Sequence, residues 1–374
     1  MEKFLRKLYK KFLIFDQNYY FRDVKTWFGV GELKLTKKIL KKFYENYQKV
    51  SFLEFLSDVK DIIYSKNVFD FIIKNAEDDW DLWCYLKFLE KEKIVKVKKN
   101  GKVSVFKKDI FKIIPRPQSE KEIKRKIERK LKTKIKEKKP VTSLFKKFQF
   151  FKIKAEWDQM PISQSSAIFL VKKILERLPL KGKFLFVGDD DFISILLSLA
   201  EPKIESLVID ADKELLSCID ELSLKFNLKI ETKKFDVRKQ ELLGEKFIGF
   251  LTNPIYTEAG VKAFVKFGKN QLNKDGGIGF LELGGGDIGN RFLFLQDFFT
   301  KNNLIIEELI VNKIYYPYVM LHKEDKEITK RLSLMIDKKI IKKSPKLGAA
   351  LYIFEYLPFK PKRVKFKKPI YAYI

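Results

Sequence analysis

Residues that commonly bind metal ions or act as nucleophile–base pairs are scarce in this chain. Its 374 residues include two cysteines, Cys84 and Cys218, and a single histidine, His322. A structural zinc site usually takes about four Cys or His ligands, so these residues are too few for one. A Ser-His-Asp triad would have to use His322, and its neighbours in the sequence give no sign of one. We therefore expect no bound metal, and acid–base chemistry from carboxylates, lysine, tyrosine or the backbone.

Long apolar segments are missing as well. No apolar run reaches the roughly 18–20 residues that cross a bilayer. The first turn, Met1–Arg6, is charged and shows no secretory apolar region or small-residue cleavage site. Both absences lead us to expect a cytoplasmic protein without membrane contact.

Acidic residues are too few to balance the basic ones. The chain has 78 Lys and Arg against 49 Asp and Glu, a formal net charge of +29. One interpretation is a nucleic acid or another anionic partner. The other is lysine scattered over a solvated surface, and few Cys, His and Met with abundant Lys, Glu and Ile are typical of heat-adapted proteins. We favour the scattered surface, so nucleic acid is the less favoured partner.

Residues 1–115 are expected to form a small α+β domain. Segments with helical periodicity fall at about 35–49, 51–64 and 78–91. Alternating apolar and polar residues then flank Asn100-Gly101, a pattern typical of a two-strand hairpin with a tight turn. Helices followed by a basic hairpin resemble a winged helix, a module that binds DNA in some proteins and serves as a partner platform in others.

Two charged segments border the rest of the chain. Residues 116–149 contain a charge-dense stretch in which apolar residues recur every fourth position from Ile123 to Ile135. This pattern predicts a linker helix with one apolar stripe. Residues 358–374 are basic, and we expect a C-terminal tail that stays mobile until it meets a partner.

From about residue 150 to 357, strand-like runs alternate with amphipathic helices. This alternation predicts an α/β domain with an open, mostly parallel sheet of about seven strands and helices on both faces. The strand candidates are Phe184–Val187, Ser206–Asp210, Lys229–Thr232, Phe247–Thr252, Gly279–Leu283 and runs near 303–311 and 349–356. The helix candidates lie near 192–200, 212–226 and 258–270.

The turn after the first of these strands is acidic. It reads Gly188-Asp189-Asp190-Asp191, and in open α/β sheets ligands bind beyond the carboxyl ends of the strands. Three carboxylates would repel a pyrophosphate by several kcal/mol in total. One aspartate could cap the next helix, but three in a row are more than a cap requires. The turn therefore favours a neutral or cationic ligand, such as a sulfonium nucleoside or an amine.

Two further strand ends carry acids suited to a nucleoside. Asp210 ends the second strand, where a carboxylate accepts hydrogen bonds from ribose hydroxyls, and Asp212 is expected to cap the next helix. Asp236 follows the third strand, where it could bind an adenine amino group while Val237 packs on the ring. A plain turn residue is an equally weighted alternative for Asp236.

The fourth and fifth strands end in residues suited to an amine. Asn253-Pro254-Ile255-Tyr256 follows the fourth strand. There the Asn253 oxygen can accept from an amine N–H, and the Tyr256 ring can face a cation. Glu282 ends the fifth strand, and Gly284-Gly285-Gly286-Asp287 follows it beside the same cleft.

Together these motifs resemble those of the branched-chain polyamine synthases. The resemblance rests on the acidic turn at 188–191, on Val-Ile-Asp-Ala-Asp at 208–212 and on Trp157-Asp158-Gln159. It implies a Rossmann-like, methyltransferase-type sheet behind a winged-helix-like domain. It also implies transfer of the aminopropyl group of decarboxylated S-adenosylmethionine to a polyamine nitrogen, the secondary amine of spermidine, with 5'-methylthioadenosine as the second product.

The resemblance also implies roles for individual residues. Asp189, Asp190 and Asp191 would be catalytic, with Asp190 or Asp191 taking the proton of the acceptor amine and Asp189 orienting the turn or binding the donor. The donor-binding residues would be Gly188, Asp210, Asp236, Val237 and Gln159. The acceptor-binding residues would be Asp158, Asn253, Pro254, Tyr256 and Glu282. We also expect a homodimer.

The end of the fourth strand departs from the family pattern. The family has Asp-Pro-Pro-Glu where this chain has Asn253-Pro254-Ile255-Tyr256, two carboxylates fewer. We hypothesise that Glu282 or Asp287 supplies the missing negative charge.

The same segment also suggests an alternative function. It is one residue from the Asn-Pro-Pro-Tyr pattern of enzymes that methylate base amines, which favours an S-adenosylmethionine-dependent N-methyltransferase acting on RNA or DNA. The acidic turn argues against this alternative, because it would repel a nearby phosphate backbone. A DNA-binding regulator with a degenerate enzyme domain is the weakest interpretation, since such a domain has no reason to keep acids at these strand ends.

Overall fold

The structure of the protein is a computed structural model, which describes residues 2–27, 52–64, 79–98, 100, 102–114, 116–135, 140–150, 154, 159–178, 182–284, 288–316 and 347–359. The chain divides into two compact units, one made of Met1–Arg116 together with Phe359–Ile374 and one made of Pro117–Pro358. Within the described ranges, no helix is both long and apolar enough to cross a bilayer.

The first unit is helical and carries a hairpin. Its elements are α1 (Glu2–Trp27), α2 (Phe52–Tyr64), α3 (Asp79–Lys91), β1 (Val95–Val97), β2 (Val103–Val105) and α4 (Ile110–Ile113). β1 and β2 pair antiparallel, with Val95 opposite Val105. Aromatic rings from the three longer helices form the centre of the core: Phe12 stacks on Tyr85 with 4.4 Å between ring centroids, and Phe55 lies 5.1 Å from Phe12.

Most of the elements predicted for this unit can be compared with the structure, and one lies outside the described residues. The helices predicted at 51–64 and 78–91 and the hairpin are confirmed. The helix predicted at 35–49 lies outside the described residues, so the winged-helix-like character of the unit stays a prediction.

Three helices precede the sheet of the second unit. They are α5 (Glu120–Lys132), α6 (Pro140–Phe150) and α7 (Gln164–Arg177). α5 begins with a capping box at Ser119, and its apolar stripe of Ile123, Ile127 and Leu131 is buried. It packs on α6 and α7. The charged helix that we assigned to a linker is therefore packed inside the second unit, which starts at Pro117 rather than at residue 150.

A seven-stranded sheet forms the centre of the second unit. Its strands are β3 (Lys183–Val187), β4 (Glu205–Asp210), β5 (Ile230–Lys234), β6 (Gly249–Thr252), β7 (Gly277–Leu283), β8 (Leu304–Tyr316) and β9 (Leu347–Tyr356). They lie in the order β5-β4-β3-β6-β7-β9-β8; β3 to β7 are parallel, and β9 runs antiparallel to β7 and β8. The other helices are α8 (Ile193–Ala200), α9 (Lys213–Phe226), α10 (Glu258–Gln271) and α11 (Phe292–Lys301). The predicted α/β class and the strand candidates of this unit are confirmed.

The strand order places a crevice at the end of β3. This strand pairs with β4 on one side and with β6 on the other. The chain leaves β3 toward β4 and later returns on the opposite side, so the carboxyl ends of β3, β4 and β6 border a switch point of the topology. The acidic turn at 188–191 follows β3 at this edge.

Close packing holds β6 against its neighbours. Phe250 is fully buried, and its ring fills the space over two glycines. A Cβ built on Gly268 of α10 would lie 2.4 Å from this ring, and one on Gly279 of β7 would lie 2.7 Å from it. A larger residue at either glycine would displace β6, and with it Asn253 at the end of the strand.

Candidate active site

The backbone turns sharply at the end of β3. Gly188 has a φ of 80°, a left-handed conformation that favours glycine, and its N–H donates to the Ile209 oxygen of β4 at 2.9 Å. The Thr252 hydroxyl of β6 donates to the Val187 oxygen at 2.9 Å. Hydrogen bonds to both neighbouring strands therefore hold the start of the acidic turn. The predicted contact between Gly188 and the aminopropyl donor stays a prediction.

Asp189 holds the helix that follows the turn. Its Oδ1 accepts from the Ile193 N–H at 2.8 Å and its Oδ2 from the Ser194 N–H at 3.2 Å, so it caps the start of α8. The residue is only 3% exposed, and burial raises its pKa well above the usual value. Of the two roles that the resemblance implied for Asp189, this geometry supports orienting the turn.

Asp190 and Asp191 are bonded to the backbone of the segment before α7. Asp190 accepts from the Met160 N–H at 2.8 Å, and Asp191 from the Ile162 N–H at 2.6 Å. Burial, followed by the charge of Asp191, raises the pKa of Asp190 well above its usual value. Burial raises the pKa of Asp191 to about 7. Asp191 is therefore able to take up and release a proton near neutral pH.

The same segment is tied to the start of α9. Gln159 donates from Nε2 to Asp212 at 2.9 Å, and Lys154 Nζ lies 2.7 Å from the other Asp212 oxygen. Asp212 also accepts from the Glu214 N–H at 3.0 Å, which confirms it as the cap of α9. Gln159 is 5% exposed, and its amide oxygen accepts from the Lys154 N–H. Gln159, predicted to bind the donor substrate, thus has its amide engaged with the protein. Asp158, predicted to bind the acceptor, lies outside the described residues.

The acids after β4 and β5 have different surroundings. Asp210 accepts from the Asp212 N–H at 2.8 Å, and burial raises its pKa to about 6. Asp236 binds the Arg238 guanidinium through both of its oxygens, and this pair lowers the pKa of Asp236 to about 2. Val237 is 8% exposed and packs in the core. The ion pair supports the turn interpretation of Asp236, whereas Asp210 stays a candidate for the ribose hydroxyls.

An amide and two phenols lie beside Asp191. Asn253 Nδ2 donates to the Tyr316 hydroxyl at 3.1 Å and lies 3.4 Å from Asp191 Oδ2. The Tyr256 hydroxyl donates to Asn253 Oδ1 at 3.0 Å and lies 2.8 Å from the Tyr316 hydroxyl. Pro254 is buried between the two predicted acceptor contacts. These contacts join Asn253 and Tyr256 to the acidic turn.

Glu282 is buried near the acids and has no hydrogen-bond partner among the residues that the structure describes. The residue is 0% exposed, and neither carboxyl oxygen is bonded to any of the residues that the structure describes. Burial raises its pKa well above the usual value, and the charges of the three aspartates of the turn raise it further. Buried polar groups are nearly always satisfied in folded proteins, so the unpaired carboxyl makes Glu282 a candidate contact for a ligand. Glu282 thus lies where we hypothesised added negative charge, and Asp287 lies outside the described residues.

The sequence that builds this site matches a known family. Residues 148–367, more than half of the chain, match the family described as the branched-chain polyamine synthase A C-terminal domain. The chain belongs to the branched-chain polyamine synthase family. The resemblance carried by the acidic turn and the strand ends is thereby confirmed.

Curated relatives match part of the chain. An uncharacterized protein of Methanocaldococcus jannaschii is 35% identical over 162 residues, which are 42% of this chain and 41% of that protein. The N(4)-bis(aminopropyl)spermidine synthase of the same organism is 32% identical over 131 residues, which are 34% of this chain and 37% of that protein. The chain therefore spans about two fifths of the length of the curated relatives it matches.

A solved structure of the family is similar over most of the chain. The C9 mutein of the branched-chain polyamine synthase of Thermus thermophilus, in complex with N4-aminopropylspermidine and 5'-methylthioadenosine, has a TM-score of 0.50 at 18% identity. The similarity covers 87% of this chain and 94% of that chain. It supports the fold, and the Rossmann-like, methyltransferase-type sheet implied by the resemblance is confirmed.

Sequence reasoning missed Tyr316 and the backbone donors of Met160 and Ile162 in this synthase domain. Every residue except proline has an N–H, so no residue type marks a donor to a distant carboxylate. Pro161 was a weak signal, because the residue before a proline disfavours helix and residues 159–163 lie in neither a helix nor a strand. Tyr316 ends a strand far along the chain, and nothing near it in the sequence connects it with Asn253.

The carboxylates of the site do not gather around a common centre. Within the described part of the chain, no group of three or more His, Cys, Asp or Glu side chains is placed to hold a metal ion. Asp189 faces the start of α8, while Asp190 and Asp191 bind different N–H groups of the segment before α7.

Proposed function

We propose that the protein is an aminopropyltransferase. Its donor is decarboxylated S-adenosylmethionine, and its acceptor is a polyamine nitrogen such as the secondary amine of spermidine. The products are a branched polyamine and 5'-methylthioadenosine. Membership of the synthase family supports this proposal. So do a relative named for the synthesis of N(4)-bis(aminopropyl)spermidine and a structural neighbour in complex with N4-aminopropylspermidine and 5'-methylthioadenosine.

The observation that carries the proposal is a set of buried carboxyl groups without a cation. Asp191 is 4% exposed and Glu282 is 0% exposed, and neither forms an ion pair with a lysine or arginine of the described ranges. A buried charge costs several kcal/mol unless it is paired. A sulfonium donor and a polyamine acceptor would bring the missing positive charges to this edge of the sheet.

The donor is proposed to lie along the ends of β3 and β4. In this proposal Asp210 accepts hydrogen bonds from the ribose hydroxyls, and the backbone at Gly188 approaches the nucleoside beside it. The sulfonium would then face Asp190 and Asp191. A positive charge is favoured at this turn, where the phosphates of a dinucleotide would be repelled.

The chemical step is an in-line displacement. The acceptor nitrogen attacks the carbon bonded to the sulfonium sulfur, so an N–C bond forms and the C–S bond breaks. The sulfur keeps the electron pair and becomes the neutral thioether of 5'-methylthioadenosine.

Asp191 is the proposed acceptor of the proton that the nitrogen must lose before it attacks. Polyamine nitrogens are mostly protonated near neutral pH, and the pKa of Asp191 of about 7 suits the exchange. The Ile162 N–H and the Asn253 amide orient its carboxylate, while Asp190 is proposed to hold the nitrogen in line. Positioning supplies much of the rate, and general-base assistance adds about 10²–10⁴-fold.

An N-methyltransferase is the alternative because of Asn253-Pro254-Ile255-Tyr256. In such an enzyme the Asn253 oxygen would accept from the target amine of a base. Here that oxygen already accepts from the Tyr256 hydroxyl at 3.0 Å, and Asp191 lies beside the same amide. These contacts favour aminopropyl transfer.

The test is product analysis with paired donors. The purified protein is incubated with spermidine and either decarboxylated or intact S-adenosylmethionine, and separately with RNA or DNA and the intact donor. Mass spectrometry should find an aminopropyl adduct of spermidine with the decarboxylated donor only. Methyl transfer to nucleic acid, with no aminopropyl product, would refute the proposal.

A further inference from the structure

The side chains of Asn253, Tyr256 and Tyr316 form a closed ring of hydrogen bonds. The distances are 3.1 Å from Asn253 Nδ2 to the Tyr316 hydroxyl, 2.8 Å between the two hydroxyls, and 3.0 Å from the Tyr256 hydroxyl to Asn253 Oδ1. α7 holds the end of β8 in place for this contact: the Ser163 N–H donates to the Tyr315 oxygen at 2.7 Å, and the Tyr315 N–H to the Ser166 hydroxyl at 2.9 Å. The ring is thus part of the packed site.

The direction of each hydrogen bond in the ring follows from the number of protons. A phenol has one O–H, and that of Tyr256 points to the Asn253 oxygen. Tyr316 must therefore be the donor in the bond between the two hydroxyls. Asn253 in turn donates to Tyr316, so the ring runs in a single direction.

Asp191 fixes the orientation of the Asn253 amide. In the present orientation Nδ2 lies 3.4 Å from Asp191 Oδ2. If the amide were reversed, its oxygen would face the Asp191 carboxylate, and two acceptors would repel each other. The direction of the ring is therefore set by the acidic turn.

The consequence is a wall that offers no proton to a ligand. Both phenol protons and one amide proton are used inside the ring, and the second amide proton points to Asp191. Burial raises the pKa of Tyr316 well above its usual value, so the phenol stays neutral and the ring keeps its protons. The orphan carboxyl of Glu282 lies close enough for its charge to act on Tyr316. A group that needs to accept a hydrogen bond would find no free donor on these three side chains.

We propose that the Asn253–Tyr256–Tyr316 ring selects, at this place in the acceptor site, a group that donates hydrogen bonds over one that can only accept them, with Tyr316 as the specificity-determining residue. This inference rests on the proposed function, because it assigns the acceptor end of the same site. An alkylammonium group presents donors only and suits the ring, whereas an ether or carbonyl oxygen does not.

The test compares spermidine with oxygen-for-nitrogen analogues. One analogue has an ether oxygen in place of the secondary nitrogen, and the others have a methoxy group in place of one terminal amine. Dissociation constants are measured by calorimetry with saturating 5'-methylthioadenosine, so no turnover is needed. The wild-type protein should prefer spermidine over the analogue whose oxygen faces the ring by about 100-fold, and Tyr316→Phe should narrow this preference by about tenfold. The variant releases the Asn253 N–H, which then repels an ammonium and donates to the oxygen.

Tyr315→Phe is the matched control. It removes a phenol from the neighbouring residue, whose hydroxyl donates to the Asn312 oxygen outside the ring. The control should keep the wild-type preference, and both variants should keep their affinity for 5'-methylthioadenosine, which shows that the site is folded. Unchanged preferences for all analogues in Tyr316→Phe would overturn the inference. Wild-type preference for spermidine without an aminopropyl product would instead refute the proposed function and leave the ring's selectivity standing.

Discussion

The two ends of the central sheet carry charge in opposite ways. At the amino-terminal end, Lys183 begins β3 with its Nζ 2.7 Å from Glu231 and 2.9 Å from Glu245. At the carboxyl end, Asp191 is bonded to a backbone N–H and to an amide, and Glu282 has no hydrogen-bond partner among the described residues. At the amino-terminal end Glu231 and Glu245 share a lysine, whereas at the carboxyl end Asp191 and Glu282 form no ion pair with any described residue, although Asp212 and Asp236 nearby do.

This difference separates charges that serve the fold from charges that await a ligand. Ion pairs near the surface contribute about 0–1 kcal/mol each and need no further partner. An unpaired buried carboxyl lowers the stability of the fold unless it binds a proton or a cation. The carboxyl end therefore keeps a cost in stability, which the proposed cationic substrates would offset, as is common at functional sites.

The largest expected effect comes from changing the carboxyl end at the proposed proton acceptor. Asp191→Asn keeps the size of the side chain but removes the base, so kcat should fall by about 10²–10⁴-fold. The measurement is the initial rate of aminopropyl product, with 5'-methylthioadenosine binding as the test of folding. Glu245→Gln makes the same chemical change at the amino-terminal end and should leave kcat unchanged. Equal kcat values for Asp191→Asn and the wild type would show that the turn is structural.

Changing Glu282 should separate stability from substrate affinity. Glu282→Gln removes a buried carboxyl whose ionised form destabilises the fold in the absence of substrate, so the free energy of unfolding should rise. We expect Tm to rise by about 2–4 °C for each kcal/mol added to the free energy of unfolding. The same variant should raise KM for the polyamine by about tenfold, because a charged hydrogen bond is lost. KM for the donor should change less. A lower Tm together with an unchanged KM for the polyamine would contradict the assignment.

The pH dependence of binding should follow the raised carboxyl pKa values. Asp191, the proposed contact of the acceptor amine, has a pKa of about 7, and Asp210 at the neighbouring strand end has one of about 6, so the negative charge that attracts a cation grows between pH 5 and 8. Polyamine affinity should therefore rise as the pH increases from 5 to 8, with protons released on binding. Calorimetry in buffers of different ionisation enthalpy measures this release. Asp191→Asn should flatten the upper part of the curve, and a wild-type affinity that is constant over this range would exclude the linkage.

The same pKa values predict how stability depends on pH. The folded protein holds a proton on Asp191 between the usual aspartate pKa of 3.8 and about 7, where the unfolded chain has released it. The contribution of this group is therefore favourable below 3.8 and is lost as the pH rises to about 7. The Tm difference between Asp191→Asn and the wild type should grow over this interval.

The smallest expected effect comes from a change at the amino-terminal end of the sheet, where Lys183 pairs with Glu231 and Glu245. Lys183→Gln removes the shared partner of Glu231 and Glu245, and the free energy of unfolding should fall by about 1 kcal/mol or less. Activity should be retained, because Lys183 lies at the opposite end of β3 from the acids. Denaturant unfolding and the aminopropyl assay on the same sample measure both quantities. If Lys183→Gln lost most of its activity with little change in stability, the proposal that only the carboxyl end of the sheet binds substrate would be contradicted.

Much of the sheet and the place of the site could be predicted from local sequence. Apolar runs such as Phe184–Val187 and amphipathic segments such as α9 are properties of neighbouring residues. The edge that carries the site follows from them, because the carboxyl ends of parallel strands lie on one side of a sheet. The capping role of Asp212 was predictable for the same reason, since a cap acts on N–H groups a few residues away.

The separate roles of the acids could not be predicted in the same way. Asp189 and Asp191 are equivalent by residue type, yet Asp189 caps α8 while Asp191 meets the Ile162 N–H. Gln159 was assigned to the donor, but its amide is engaged with Asp212 across 53 positions of the chain. Such contacts depend on how separate segments pack, and no periodic pattern records them.

By itself, the sequence determined the order of the strands and helices, the glycine turn after β3 and the concentration of acids that follows it. These features depend on residues a few positions apart and on the rules of parallel sheets. Only the tertiary structure decided that Tyr316 closes a ring with Asn253 and Tyr256, and that Glu282 is buried with no hydrogen-bond partner among the described residues. The physical reason is that sheet order and the shift in pairing between Ile310 and Ile314 of β8 bring distant side chains together, and only then are their hydrogen bonds and charges defined.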